Sequence, residues 1–343
     1  NMSPKNLNAS NKTHKFLLSK LKDKKTSQIY YKFEKNFELE KDFIVAVSGG
    51  PDSLALSFLT KIYSIKKLLN VKYFIVDHKL RSASRNEVRY VRNILKKLSI
   101  KLRILNWVGK KPKSNIQSIA RVKRYKLLIN EAKKLKIKNI LLGHHKGDLY
   151  ENFFIRILRG SGLKGLVSFG EKSQLNDIDL VRPLLNFDKK DLIYISKKVF
   201  QNYIQDPSNQ ENKFKRVKIR NLIKNLELEG LNFDKFNLTI KNLKFANKSL
   251  DFLIEKNIKD NSTFLSNNKS IILSEMFFNF PEEIVFRSLS KIITIIGKKY
   301  YPVRGKKIDK ILYLIKNENS FKTTLGNCLI KKVNQSVILS KER

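Results

Sequence analysis

Residues 43–53 read FIVAVSGGPDS, and this stretch decides the fold of the chain. Its first part, Phe43–Val47, is a continuous apolar run rich in β-branched residues, the pattern of a strand buried on both faces. Its second part, Ser48–Ser53, is a turn that we call the glycine loop. The run Leu54–Leu69 that follows has the length and spacing of a helix. A strand, a tight turn and a helix are therefore predicted in direct succession.

The glycine loop has the features of a phosphate-binding turn. At a helix N-terminus, unpaired N–H groups and the helix dipole attract anions, and glycines let the backbone approach them closely. The hydroxyls of Ser48 and Ser53 add donors, whereas the lysine of the common nucleoside-triphosphatase loop is absent. A carboxylate repels phosphates unless a cation bridges the two. Asp52 is therefore predicted to hold Mg²⁺, and a plain helix cap is the alternative.

Outward from this stretch, strands and helices continue to alternate. Apolar runs of strand length follow at 71–76, 102–105 and 139–142, with room for a helix between them, and 202–205 is a fifth candidate. This alternation predicts an α/β fold with a mostly parallel five-stranded sheet and helices on both faces. Because ligands of such sheets bind beyond the carboxyl ends of the strands, the residues after each run are the candidate site residues.

The segment after the fourth run carries two acids at helical spacing. Asp148 and Glu151, which we call the acid pair, lie three residues apart and would share one face of a helix. Two carboxylates suit Mg²⁺ or a cationic amine, and a favourable helix N-terminal charge is the alternative. The preceding His144 and His145 are open to three interpretations, as metal ligands, phosphate donors or packed rings.

Cationic and glycine-rich segments supply further candidates. Arg121 and Arg124 are about one helical turn apart and suit phosphate oxygens, although a solvated basic face explains them equally well. Gly160 and Gly162 follow Arg159 in either an anion-binding nest or a helix C-terminus. The remaining candidates, beside predicted strand or turn ends, are Asp77, His78, Arg81, Arg216 and Arg220.

The amino-acid composition indicates what kind of partner the protein binds and where it works. The 343 residues include 71 Lys and Arg against 30 Asp and Glu, a formal charge of +41 that predicts a polyanionic partner, with codon bias toward lysine as the alternative. The single cysteine, Cys328, excludes an internal disulfide framework and suits a reducing cytoplasm. No apolar run approaches the roughly 18 residues of a membrane span, so we expect a cytoplasmic protein with no membrane partner.

The residue pattern changes near position 212, where Lys, Asn and Leu at helical spacing replace the alternating elements. We expect an N-terminal helical extension over 1–40, a catalytic domain over 41–215, and a smaller, mainly helical basic domain over 216–343. Turn residues within 323–330, followed by the run 333–339, predict a terminal hairpin. A homodimer is compatible with this organisation.

Taken in order, these motifs resemble those of the tRNA(Ile)-lysidine synthase family, a branch of the PP-loop ATP pyrophosphatases. The matching segments are Ser48–Ser53, Asp77–Arg81, Ala120–Tyr125, His144–Glu151, Arg159–Gly162, Arg182–Leu185 and Asp206–Asn209. The resemblance is strong over residues 40–225, and the chain end resembles the short form without an extra C-terminal domain. The chain departs from the family pattern at Gly147, where an acid is common, at Asn152, where Thr is common, and at Val217, where Asn is common.

The resemblance implies a PP-loop, Rossmann-like fold and a two-step reaction on the wobble cytidine of tRNA(Ile) with the anticodon CAU. ATP, accompanied by Mg²⁺, would adenylate the oxygen on carbon 2, and L-lysine would then displace AMP, which changes codon reading from AUG to AUA. The implied catalytic residues are Asp52, Arg121, Asp148 and Glu151, and the last two also bind lysine. The implied ATP-binding residues are Ser48, Gly49, Gly50, Pro51, Asp52, Ser53, Asp77 and His78. The implied phosphate or tRNA contacts are Arg81, Arg124, Arg159, Gly160, Gly162, Arg216 and Arg220.

Three other functions are open at this point. A PP-loop tRNA sulfurtransferase usually relies on paired cysteines, whereas this chain has one cysteine. A non-catalytic RNA-binding protein with a decayed ATP site is encouraged only by Gly147. A synthetase acting on a small metabolite would leave the basic C-terminal part unexplained.

Overall fold

The computed structural model describes residues 14–79, 84–109, 112, 114, 116–205, 215–265, 269–299 and 303–342. The chain divides into two compact units, Asn1–Asn232 and Phe233–Arg343, and all the candidate site residues belong to the first. No helix within the described ranges is long and apolar enough to cross a membrane.

The first unit alternates helices and strands along the chain. Its strands are β1 Phe43–Val47, β2 Val71–Asp77, β3 Leu102–Asn106, β4 Asn139–Leu142, β5 Lys172–Leu175 and β6 Ile178–Val181. Its helices are α1 Lys24–Lys35, α2 Pro51–Lys67, α3 Ser84–Lys96, α4 Ile116–Lys134, α5 Lys146–Ile157, α6 Leu163–Leu166, α7 Lys189–Phe200 and α8 Lys215–Leu228. The first four strands coincide with the predicted runs to within one residue.

Six strands form one sheet in the order β3-β2-β1-β4-β6-β5. All neighbouring pairs are parallel except β5 with β6. The strand order reverses between β1 and β4, which pair from Phe43 with Asn139 to Ala46 with Leu142. The segments that leave these two strands therefore begin side by side, at the kind of switch point where α/β sheets bind ligands. The predicted α/β fold with a mostly parallel sheet is confirmed.

Helices cover both faces of this sheet, as the side chains of β1 illustrate. Phe43, Val45 and Val47 lie in one core with residues of α1, α2, α3 and α7. Ile44 lies in a second core with Leu128 of α4. Because successive side chains of a strand point to opposite faces, β1 is buried on both sides, and this explains its uninterrupted apolar run.

The fifth predicted strand is wrong in position, and the sheet has six strands rather than five. Residues 202–205 form no strand. Instead, the N–H of Ile204 donates to the carbonyl of Gly49 at 3.0 Å, so this segment crosses the glycine loop. The hairpin β5–β6 fills the sheet edge. Its turn residues Asn176 and Asp177 have φ of 50° and 64°, and a two-residue hairpin turn with this twist requires positive φ at both positions. This Asn-Asp pair is the signal in the sequence that predicts the hairpin.

The second unit combines helices with a sheet. Its elements are α9 Phe233–Asn261, β7 Ser262–Leu265, β8 Ser270–Leu273, α10 Glu282–Ile296, α11 Gly305–Asn317, β9 Phe321–Leu325, β10 Cys328–Val333 and β11 Ser336–Lys341. The strands form an antiparallel sheet in the order β7-β8-β11-β10-β9, so the predicted terminal hairpin is one part of a larger sheet. Strands β7 and β8 have four residues each, so their alternation of apolar and polar residues is too short to be recognised in the sequence beside long helical segments.

The division between the compact units does not coincide with the change in sequence pattern. The first unit ends at Asn232, whereas the change in residue pattern predicts that the catalytic domain ends at residue 215. Helix α8 lies between these positions and packs against α5 in the first unit. The separate N-terminal extension over 1–40 and the role of residues 216–343 stay predictions.

Candidate active site

The glycine loop joins the end of β1 to the start of α2, and the Ser53 side chain holds its backbone. The hydroxyl of Ser53 accepts hydrogen bonds from the N–H groups of Ser48 and Gly49, each at 3.1 Å, and donates to the carbonyl of Gly50 at 3.0 Å. Pro51 begins α2, where its missing N–H costs nothing. Two loop amides thus converge on one oxygen, the hydroxyl oxygen of Ser53, which holds the turn at the N-terminus of α2.

Neighbouring segments approach the glycine loop so closely that glycine is required. A side-chain carbon added to Gly49 would lie 2.6 Å from Val91 and 2.8 Å from Ile204. One added to Gly143, just after β4, would lie 3.1 Å from the backbone of Asp52. The segment after β4 therefore touches the glycine loop, and this contact brings residues 143–151 to the candidate nucleotide site.

Asp52 is paired with a lysine that the sequence analysis did not identify. The Nζ of Lys189, the first residue of α7, donates to both carboxylate oxygens of Asp52, at 2.7 and 2.6 Å. Mg²⁺ prefers carboxylate oxygens, but here both oxygens of the predicted ligand accept from an ammonium group. In the part of the chain that the structure describes, no three His, Cys, Asp or Glu side chains come together as a metal site. Both oxygens of Asp52 are therefore engaged by Lys189, and Mg²⁺ binding by Asp52 stays a prediction.

The acid pair lies on the buried side of α5. The side chains of Asp148 and Glu151 are 12% and 6% exposed. Oδ2 of Asp148 accepts from the N–H of His145 at 2.9 Å and so caps the helix. Burial acts to raise the pKa of Asp148, but His145 and Arg216 outweigh it and hold the pKa below its ordinary value. Asp148 is therefore charged at neutral pH, and its Oδ2 atom caps the helix.

Two arginines of α8 lie against the acid pair. Nε of Arg220 donates to Oε1 of Glu151 at 2.6 Å. Nη1 of Arg216 lies 3.6 Å from Oδ1 of Asp148 and 3.9 Å from Oε2 of Glu151. Both arginines balance the charge of the acid pair in this structure, and their predicted contacts with phosphate or tRNA stay predictions. Oε2 of Glu151 is buried and accepts no hydrogen bond from the described residues.

Both adjacent histidines have packed rings. Nδ1 of His145 accepts from the N–H of Gly147 at 2.9 Å, so this ring folds over the start of α5. The ring of His144 packs edge-on against Phe169, with ring centres 5.2 Å apart. Burial lowers the pKa of His144 to about 3, which leaves the ring neutral at pH 7. The packed-ring interpretation is therefore the one that the geometry supports.

Gly147, where the family pattern often has an acid, lies in close contact with the ring of His145. A side-chain carbon at this position would lie 2.7 Å from Cε1 and 3.1 Å from Nδ1 of that ring. We expect Gly147→Ala to displace the ring and its capping hydrogen bond, and to lower the free energy of unfolding by about 1 kcal/mol. Urea denaturation measures this change. Gly170→Ala is the control because its nearest neighbour is 3.9 Å away, and equal losses in the two variants would contradict the prediction.

Cations and buried polar groups also gather beyond β2. The guanidinium carbons of Arg121 and Arg124 lie 5.2 and 5.8 Å from the ring centre of Tyr125. Burial, followed by the charge of Arg124, lowers the pKa of His78 to about 4. Asp77 is 4% exposed. The start of α4 thus reaches the carboxyl end of β2, while roles for these residues in ATP binding stay predictions.

Of the two interpretations open for the glycines after Arg159, the geometry supports the helix C-terminus. The N–H groups of Gly160 and Ser161 donate to carbonyls in the last turn of α5, at 2.8 and 3.0 Å, and Gly160 has φ of +64°. These amides are therefore engaged within the fold. Contacts of Arg159 and Gly162 with tRNA stay predictions. Arg81 and Asp206–Asn209 lie outside the described residues.

The buried neutral ring of His144 predicts a loss of stability in acid. Its pKa is lowered to about 3, whereas an unfolded histidine titrates near 6.5. Below pH 6.5 the unfolded chain therefore binds a proton that the folded chain does not. The contribution of His144 to the free energy of unfolding is complete above pH 6.5 and decreases as the pH falls toward 3. At pH 5 this contribution has decreased by about 2 kcal/mol.

Urea denaturation at pH 7 and pH 5 tests this expectation. Wild type is expected to lose about 2 kcal/mol more than His144→Gln between the two pH values. His14→Gln is the control, because His14 lies at the start of the described chain, far from the site in sequence. The same loss in wild type and His144→Gln would show that His144 is not the group responsible.

The chain is similar in sequence to a known protein family and to individual proteins. A family described as the PP-loop domain matches residues 21–227. The tRNA(Ile)-lysidine synthase of Wolbachia pipientis wMel is 35% identical over 301 residues, which are 87% of this chain and 70% of that protein. The tRNA(Ile)-lysidine synthase of Orientia tsutsugamushi (strain Boryong) is 32% identical over 314 residues, 89% of this chain and 71% of that protein.

A solved structure shares the fold at low sequence identity. The U34-tRNA thiolase NcsA from Methanococcus maripaludis, determined with its 4Fe–4S cluster, superposes with a TM-score of 0.53 and 17% identity. The match covers 61% of this chain and 75% of the thiolase chain. At this identity the likeness supports the architecture alone.

Proposed function

Because the chain belongs to the tRNA(Ile)-lysidine synthase family of PP-loop proteins, we infer that it is an ATP-dependent ligase. It joins L-lysine to carbon 2 of the wobble cytidine in tRNA(Ile) and releases AMP and pyrophosphate. The observation that carries this function is Oε2 of Glu151, a buried carboxylate oxygen that accepts no hydrogen bond from the described residues. Such an oxygen is costly without a donor, and the ammonium group of lysine supplies one.

In the first step, the oxygen on carbon 2 of cytidine attacks the α-phosphate of ATP, and pyrophosphate leaves with the bonding electron pair. The N-terminus of α2, where the Ser53 hydroxyl holds the backbone of Ser48 and Gly49 in place, suits the negative charge that develops on the phosphates. Arg121 is the proposed additional cation for the same charge. The contact between Gly143 and Asp52 supports a short path from this site to the acid pair.

In the second step, the lysine ε-nitrogen attacks carbon 2 of the adenylated base, and AMP leaves. The nitrogen must first lose a proton, and we propose Glu151 as the group that receives it. Asp148 binds the ammonium form through its charge. Arg216 lies beside both carboxylates and Arg220 donates to Glu151, so the two arginines balance the charge of the acid pair until the ammonium group arrives.

The remaining substrates and conditions follow from the same inference. We propose that Mg²⁺ enters with the ATP phosphates, since both oxygens of Asp52 accept from Lys189. The formal charge of +41 supports tRNA as a polyanionic substrate. A base in a single-stranded anticodon loop is extruded at lower cost than a paired base. The combination of tRNA and ATP supports a cytoplasmic reaction.

A tRNA sulfurtransferase is not favoured by these observations. The fold likeness to the thiolase carries no function at 17% identity. The chain has a single cysteine, and this residue, Cys328, is buried in the second unit. Sulfur transfer that depends on paired thiols therefore lacks its residues here.

Pyrophosphate release separates the proposed function from the alternatives. Protein, ATP and Mg²⁺ are incubated with tRNA(Ile) bearing the CAU anticodon, with and without radiolabelled lysine. We expect pyrophosphate release to require this tRNA and label to enter the tRNA only when lysine is present. A tRNA whose wobble base is uridine is the control. Failure of lysine to enter the cytidine-bearing tRNA would overturn the inference.

A further inference from the structure

Lys189 is fixed at the glycine loop by the helix that carries it. Its Nζ lies 2.7 and 2.6 Å from the two carboxylate oxygens of Asp52. Seven residues later in α7, the hydroxyl of Ser196 donates to the carbonyl of Pro51 at 2.6 Å. Residues seven apart lie on the same face of a helix, so one face of α7 contacts two consecutive loop residues. The position of Lys189 is therefore set by packed backbone as well as by its own side chain.

The glycine loop needs a cation that its own sequence does not supply. Ser48–Ser53 contains no lysine, whereas the loop of common nucleoside triphosphatases carries one that reaches the phosphates. Asp52, in the first turn of α2, adds a negative charge beside the proposed phosphate site. Lys189 is the described cation in contact with this carboxylate. Its side chain is 41% exposed, so the ammonium group is accessible to a ligand as well as to Asp52.

We propose that Lys189 binds the phosphates of ATP, with Asp52 holding its ammonium group at the loop. The inference rests on one part of the proposed function, namely that ATP is the ligand of the glycine loop. An ammonium group has three N–H donors, of which Asp52 occupies two, and the third serves a phosphate oxygen. Lys189 thus supplies, from a helix more than a hundred positions downstream, the cation that other phosphate loops carry within the turn.

A purely structural ion pair is the competing explanation, and a double-variant cycle separates the two. If Lys189 served only to neutralise Asp52, its removal would have no effect once Asp52 is already neutral. If Lys189 contacts phosphate, its removal weakens ATP binding in either background. The cycle uses wild type, Asp52→Asn, Lys189→Met and the combined variant, with Lys190→Met as the control because Lys190 is the exposed next residue of α7.

The experiment is an equilibrium titration of each variant with ATP and Mg²⁺, in the absence of tRNA and lysine. We expect Lys189→Met to weaken ATP binding by about 10- to 100-fold, both in the wild-type and in the Asp52→Asn background. Lys189→Arg is expected to recover part of this loss. An affinity equal to that of Lys190→Met, or an effect that vanishes in the Asp52→Asn background, would overturn the proposal.

Two further readouts keep this result independent of folding and of the proposed function. Urea denaturation of each variant without ATP identifies any loss that comes from unfolding. Lys189→Gln replaces Lys189→Met if the latter does not fold. Because the titration contains neither tRNA nor lysine, a failure of lysine incorporation in wild type would leave the test of Lys189 intact.

Discussion

Glu151→Gln is expected to lower lysine incorporation by at least about 100-fold while ATP binding changes by less than about threefold. Glutamine keeps a side-chain oxygen that can accept a hydrogen bond from Nε of Arg220. In the wild type this nitrogen lies 2.6 Å from Oε1 of Glu151. It removes the charge and the second carboxylate oxygen, Oε2, which is buried without a hydrogen bond from the described residues. The loss should therefore appear in the lysine-dependent step and leave the nucleotide site unaltered.

Radiolabelled lysine incorporation and an ATP titration measure the two parts of this prediction. Glu131→Gln is the matched control, since Glu131 forms an ion pair with Lys134 on the surface of α4. Asp148→Asn should resemble Glu151→Gln in activity, because asparagine keeps an acceptor for the N–H of His145 and removes the charge. Incorporation within about threefold of wild type in both variants would remove the acid pair from the reaction.

Gly49→Ala is expected to weaken ATP binding by about 100-fold, because it displaces the backbone on which the phosphate site depends. Gly49 has φ of +85°, which an alanine side chain disfavours. The added carbon would also lie 2.6 Å from Cγ2 of Val91 and 2.8 Å from Cδ1 of Ile204. The N–H groups of Ser48 and Gly49 would then no longer converge as they do on the Ser53 hydroxyl.

Gly230→Ala is the matched control for this change. Gly230 also has positive φ, of +94°, but nothing lies within 4 Å of an added side-chain carbon. ATP titration and urea denaturation of both variants separate conformational strain from collision at the loop. A normal ATP affinity in Gly49→Ala would mean that the glycine loop is not the nucleotide site.

The sequence located the site to a good approximation because its signals are local. The run Phe43–Val47 and the turn Ser48–Ser53 are contiguous, and their conformations follow from burial and from glycine geometry. The acid pair is likewise defined by a three-residue spacing on one helix. The alternation of strands and helices predicts a parallel sheet, which places the segments after β1 and β4 at one edge, whereas the structure shows that these two strands are neighbours.

Errors arose where weak local signals competed with stronger ones. The run at 202–205 has strand-like residues, yet its backbone crosses the glycine loop because Ile204 pairs with Gly49. The hairpin at the sheet edge was overlooked because each of its strands has only four residues. For the glycines beside Arg159 the sequence leaves an anion nest and a helix C-terminus open, and the geometry supports the second, because carbonyls at the end of α5 accept from the N–H groups of Gly160 and Ser161.

What the sequence by itself determined is the chemistry available at each strand end: phosphate-binding backbone after β1 and two carboxylates after β4. Only the tertiary structure decided which charges those groups meet. Glu151 pairs with Arg220, 69 residues away, and Asp52 pairs with Lys189, 137 residues away. Hydrogen bonding and helical spacing act over a few residues and can be predicted from the chain. The partner of a buried charge depends on how distant helices pack, and no local pattern encodes that packing.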